Sequence, residues 1–140
     1  MSNNDPVRWL QRLEHFEAAL AKLADACTRE NHSELEMAGV IQFFVFSQEL
    51  AWNTLKDLLY VEGIEAKTPR SVWREAYSAG FVEDIDTALG SITFRNELSH
   101  RYSEAMARRA VERIRADYLP LLTQILAKLR EKREKERGRG

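Results

Sequence analysis

Val40-Ile41-Gln42-Phe43-Phe44-Val45-Phe46 is the stretch on which the fold turns, since six of its seven residues are apolar. As a helix it is apolar nearly all round. Ser33 lies ahead of it with Glu36 three residues on, the spacing of a capping box, and Gly63 stands where such a helix would end. One helix is therefore predicted over about 34–62. A helix apolar on all sides must be covered on more than one of them. One side can face the chain's own core. The other needs further cover, for which a second copy of the protein is the simplest candidate; the alternative is a helix central in its own bundle.

On the N-terminal side, Leu10, Leu13, Phe16, Leu20 and Leu23 recur at three- and four-residue steps, one apolar helical face. Gln11, His15 and Lys22 fall on the other side. Pro6 suits the first turn of that helix, with Asp5 as its N-cap. Downstream, Thr68-Pro69 opens a short helix with Val72, Trp73 and Ala76 on its apolar side and Gly80 at its end. A further helix is predicted over 85–99. Ser103 caps the last, whose buried stripe includes Ala107, Val111, Ile114, Tyr118, Leu122, Ile125 and Leu129. Pro120 sits inside that stripe and should bend or break the helix near residues 117–119. After Leu129 charges of both signs alternate, which reads as a solvated, disordered tail over 131–140 behind a single domain of residues 1–130. The fold class expected is all-α, an up-and-down bundle of about five helices.

The bulk numbers narrow the class. The 140 residues fit one domain with a real core. With 44% hydrophobic and 31% charged residues the chain reads as soluble and globular. Six glycines and three prolines are too few for a turn-rich β-sandwich. A formal net charge of −1 supplies no global field toward nucleic acid, so RNA binding would need a local patch or a partner. Cys27 is the only cysteine, which rules out an intrachain disulfide and fits a cytoplasmic location. The polar N-terminus carries no signal-peptide pattern, and the run over 40–45 is too short to span a membrane.

Chemistry concentrates in Arg95-Asn96-Glu97-Leu98-Ser99-His100-Arg101-Tyr102. Arginine is a fixed cation with a fork of donors suited to phosphate. Histidine can move a proton near neutral pH. Tyrosine offers a hydroxyl as a hydrogen-bond partner or a modification site. On a straight helix Arg95 and His100 point roughly 140° apart, at about 100° per residue. They converge only if His100 lies past the helix end or if two subunits share one cleft. Read from spacing alone, Arg95 could equally pair with Glu49, Asp57 or Glu97 and simply tie helices together.

The spacing Arg95-x4-His100-x-Tyr102 resembles the motif of HEPN-domain proteins, the helical partners of minimal nucleotidyltransferases. Glu49-Leu50-Ala51-Trp52-Asn53-Thr54-Leu55-Lys56-Asp57, Gly63-Ile64 and Pro69-Arg70-Ser71-Val72-Trp73-Arg74-Glu75-Ala76 resemble the subgroup described as nucleotidyltransferase substrate-binding proteins. The resemblance implies a homodimer whose two motifs face one cleft. It implies the toxin of a two-gene toxin–antitoxin module, a metal-independent endoribonuclease without cofactor. In such a site the RNA 2′-hydroxyl attacks the neighbouring phosphorus. His100 would serve as base, its symmetry mate as acid, and Arg95 would hold the phosphoryl charge. Asn96, Arg101 and Glu49 would support them. Tyr102 would be the residue to which the nucleotidyltransferase partner adds AMP, placing negative charge beside the arginines. The alternative is a non-catalytic substrate-binding subunit of a two-component nucleotidyltransferase, and a plain helical adaptor is the third reading.

Other candidates are weaker. Lys56, Arg70 and Arg74 could extend a phosphate-binding surface, and Trp52 and Trp73 could stack on a base, though large aromatics at helical spacing usually belong to a core. His15, His32 and Cys27 show no metal-ligand spacing, so no metal site is expected. No Gly-rich phosphate loop occurs, so transferase chemistry would have to come from a separate chain.

Overall fold

The computed structural model describes residues 6–30, 33–98 and 103–139. They form helices α1 (Pro6–Cys27), α2 (Glu34–Val61), α3 (Pro69–Ser78), α4 (Ile85–Leu98), α5 (Glu104–Arg113) and α6 (Leu119–Arg139). A π turn, Ile114–Tyr118, joins α5 to α6 with helical backbone throughout, so the three make one long helix and the bundle has five. Among the described residues there is no strand, and no helix is long and apolar enough to cross a membrane.

Local chemistry sets the ends. The Ser33 hydroxyl accepts from the Glu36 N–H while Glu36 accepts from the Ser33 N–H, closing the expected capping box. Thr68 caps α3 with Pro69 in the first turn, and Ser103 accepts from the Met106 N–H to open α5. Asp84, which the sequence reading did not single out, caps α4 by accepting from both the N–H and the hydroxyl of Thr87. Two helices stop at glycines that take the left-handed conformation, Gly63 at φ 89° and Gly80 at φ 91°. In each the next N–H turns back five residues, Ile64 to the Leu59 carbonyl and Phe81 to that of Ala76. Phe81 is buried, so the second of these turns also delivers a side chain to the core.

The core lies between α1, α2 and the long C-terminal helix. Trp9, Leu13 and Phe16 meet Phe44, Leu55 and Leu58, with Ile114, Tyr118, Leu122 and Ile125 closing the third side. Each such side chain, fully buried, contributes about 1.5–3 kcal/mol. Trp73 of α3 is buried among them, and Trp52 is half-buried against the core.

Two expectations need correcting. Pro120, expected to bend or break the helix, interrupts its regular α geometry over Ile114–Tyr118 without ending it. In a regular α-helix its ring would collide with the Ala116 carbonyl. The π turn instead widens the backbone just ahead of it, and the Leu119 N–H bonds the Ile114 carbonyl. Helical structure therefore continues through the proline. Nor is the charged end a loose tail, since α6 continues to Arg139. Arg130 and Arg133 both grip Glu17 of α1, and Lys132 reaches Glu62 at 2.6 Å. These anchors tie α6 to the bundle as far as Arg133.

Candidate functional site

The site is built where α4 crosses α2. Three polar side chains, Ser47 and Gln48 of α2 and Ser91 of α4, are buried at this junction. The Ser91 hydroxyl donates to the Ala88 carbonyl at 2.6 Å, and the Gln48 side-chain amide lies 3.4 Å from the Ser91 oxygen. One turn further along α4, Arg95 Nη2 donates to Glu49 Oε1 at 2.5 Å. The pair is partly open, its side chains 33% and 44% exposed. Asn96 and Glu97 follow on the exposed side of the same helix.

Two grooves flank this end of α4. The first encloses about 540 Å³ and has an apolar floor of Ala18, Ala19, Phe43, Phe46 and Leu50, with Arg95 and Glu49 on its rim. Phe46 is 48% exposed, large for an aromatic ring. The second, of about 550 Å³, runs between α4 and α5 over Phe94, Leu98 and Met106, rimmed by Glu97, Arg109 and Arg113. Arg113 is fixed there. Its Nε donates to Asp117 at 3.0 Å and its Nη2 to the Tyr118 hydroxyl at 2.8 Å. Its guanidinium stacks on the rings of Phe94 and Tyr118. Burial is the main cause that pushes the Tyr118 hydroxyl above its usual pKa, which keeps it neutral.

Of the residues singled out in the sequence, the structure brings Arg95 and Glu49 together and leaves Asn96 exposed beside them. His100, Arg101 and Tyr102 lie outside the described residues, and with them the convergence of Arg95 on His100. Asp57 pairs not with Arg95 but with Arg12 of α1. Trp73 is core. Lys56 lines a cleft with α1, whereas Arg70 reaches α4, its Nη2 3.5 Å from the Thr93 hydroxyl. Arg109 and Arg113 escaped the sequence reading. The signal for Arg113 was present, since Asp117 and Tyr118 stand four and five residues on, but an exposed-looking arginine in a charged helix carries no mark of a stacked one.

Comparison with known proteins bears on the family and the fold. Residues 11–131 match the family described as nucleotidyltransferase substrate binding protein like. The chain belongs to that family. A crystal structure of a Thermus thermophilus protein shares 35% identity with a TM-score of 0.75, covering 82% of this chain and 98% of the other. A Haemophilus influenzae protein, described as showing the fold of a substrate binding domain of a nucleotidyltransferase, is 25% identical with a TM-score of 0.71 over 84% of this chain and 98% of its own. No curated protein matches. In this substrate-binding-protein-like chain the stretches that carry the resemblance are its joints. Residues 49–57 hold the α2 side of the ion pair, Gly63-Ile64 forms the turn after α2, and residues 69–76 form most of α3.

Proposed function

We propose that this protein is the substrate-binding subunit of a two-component nucleotidyltransferase, acting with a separate catalytic chain. The observation that carries the reading is the match to that family over 11–131, joined to the likeness in fold to the Haemophilus influenzae domain. The site supports it. Glu49 already compensates the Arg95 guanidinium, which suits a positioning or docking role better than holding the charge of a phosphoryl transition state. Mixed with a short nucleotidyltransferase bearing a Gly-Ser and paired-Asp motif, the chain should elute as one complex. Persistently separate elution, confirmed by calorimetry, would sink the reading.

The subunit acts as a homodimer through the open face of α2. Exposed Phe46 and half-buried Phe43, Val45 and Leu50 line one groove, an apolar surface of the kind that soluble monomers seldom leave uncovered. Sedimentation should give a dimer for the native chain and a monomer for Phe46→Asp. A native chain that sediments as a monomer at micromolar concentration would remove the dimer.

A second reading is the HEPN toxin, a metal-independent ribonuclease neutralised by AMP addition at Tyr102. It rests on the Arg95-x4-His100-x-Tyr102 spacing. Under it, the purified chain cuts RNA in chelator, His100→Ala abolishes cutting, and the partner with ATP adds adenylate mass that Tyr102→Phe loses. Intact RNA together with a stable complex selects the subunit.

A further inference from the structure

At the far end of α1 a second polar site opens between α1, α2 and the α2–α3 loop. The cleft encloses about 340 Å³. Four cations line it: Arg8 and Arg12 from α1, Lys56 from α2 and Lys67 from the loop. Among the described residues two carboxylates, Asp57 and Glu65, line it with them. The chain as a whole is slightly negative, so this excess of positive charge is local.

The carboxylates leave the two lysines and part of Arg12 unquenched. Asp57 is only 16% exposed and holds Arg12 by its Nε at 2.6 Å, with Arg8 Nε at 3.9 Å. That leaves the two terminal nitrogens of Arg12 without a partner among the described residues, a donor fork already oriented. Neither Lys56 nor Lys67 makes an ion pair among the described residues. The Tyr60 side chain also lines the cleft and adds a hydroxyl donor. Cations gathered in a concavity repel one another, and a small polyanion relieves that repulsion while meeting several donors at once.

We propose that this cleft binds a small anion carrying two adjacent phosphate groups, of diphosphate type. The arginine fork takes one phosphate, and the two lysines take the other. Glu65 on the rim disfavours long polyanions such as RNA, which would have to run past it. The site is distinct from the Arg95–Glu49 junction, and the assignment does not depend on the subunit reading.

Calorimetry on the full chain with inorganic diphosphate tests it, with orthophosphate and a short single-stranded RNA as the other arms. Saturable binding of one diphosphate per chain is expected, tighter than either alternative and weakened by added salt. Lys56→Met with Lys67→Met should lower affinity at least tenfold, each single change by less, while Arg109→Met leaves it unchanged. Circular dichroism verifies that each variant is folded. Should the double variant unfold, Lys67→Met alone, in a loop, decides the matter. Absence of saturable diphosphate binding overturns the proposal, as does equal binding by the lysine variants or tighter binding of RNA. Complex formation with the nucleotidyltransferase is measured separately, so either idea can fail alone.

Discussion

Arg95 sits on the rim of an apolar groove with its charge already answered by Glu49. Because the pair is part-exposed, its contribution to stability is small, about 1 kcal/mol or less. Arg95→Met should therefore leave the urea midpoint nearly unchanged while weakening capture of the nucleotidyltransferase several-fold. A large fall in stability would recast the pair as a structural tie. Glu17 is a different case. Hydrogen bonds from Arg133, then Arg130, hold its carboxyl below the ordinary 4.5, against the desolvation that raises it. A carboxylate lowered in the folded state stabilises fully above its unfolded pKa, and that stability is lost as pH falls through the folded value. Glu17→Gln should cost about 1 kcal/mol at neutral pH. Thermal melts across an acid series should show the gap to the native chain closing below pH 4.5.

Among the helices, the π turn explains how a proline survives inside a buried stripe. Ile114 and Tyr118, at its two ends, are both core residues, so packing on both sides fixes its register. A proline in an ordinary helix interior costs about 3 kcal/mol relative to alanine. Here the wide turn has already absorbed the missing donor, so Pro120→Ala should stabilise by less than about 1 kcal/mol. A gain near the full value, read from urea unfolding, would mean that the turn relaxes to a regular α-helix once the ring is gone. The turn also aims Asp117 and Tyr118 at Arg113. A backbone irregularity thus sets the rim of the groove between α4 and α5.

For the bundle taken together, the C-terminal end is an integral part. A chain stopped after residue 130 would lose the Arg133–Glu17 and Lys132–Glu62 pairs. Differential scanning calorimetry should show it destabilised by about 1–2 kcal/mol, while complex formation with the nucleotidyltransferase persists. An unchanged melt would mean that these pairs add nothing and that residues 131–139 are a mere extension. The open face of α2 and the cation-lined cleft follow one another along α1 and α2 but share no lining residue, the first mainly apolar and the second charged. Self-association and anion binding are therefore separable by single substitutions.

The helices and their ends were legible in the chain before any packing was known. Periodicity, caps and glycine stops act within a few residues, so Ser33, Thr68, Ser103, Gly63 and Gly80 could be read directly. Arg95 and Glu49 were marked as candidates in the same way, but Arg95 was left with three possible carboxylates. It took the packed bundle to give Arg95 to Glu49, 46 residues away in the chain, and to carry Arg133 across 116 residues to Glu17. The same holds for Arg113 on its two rings and for the four cations of the α1 cleft. Such partners depend on how each helix is rotated about its axis and packed, and that rotation is set by side chains of other helices, not by the local pattern that makes a helix form.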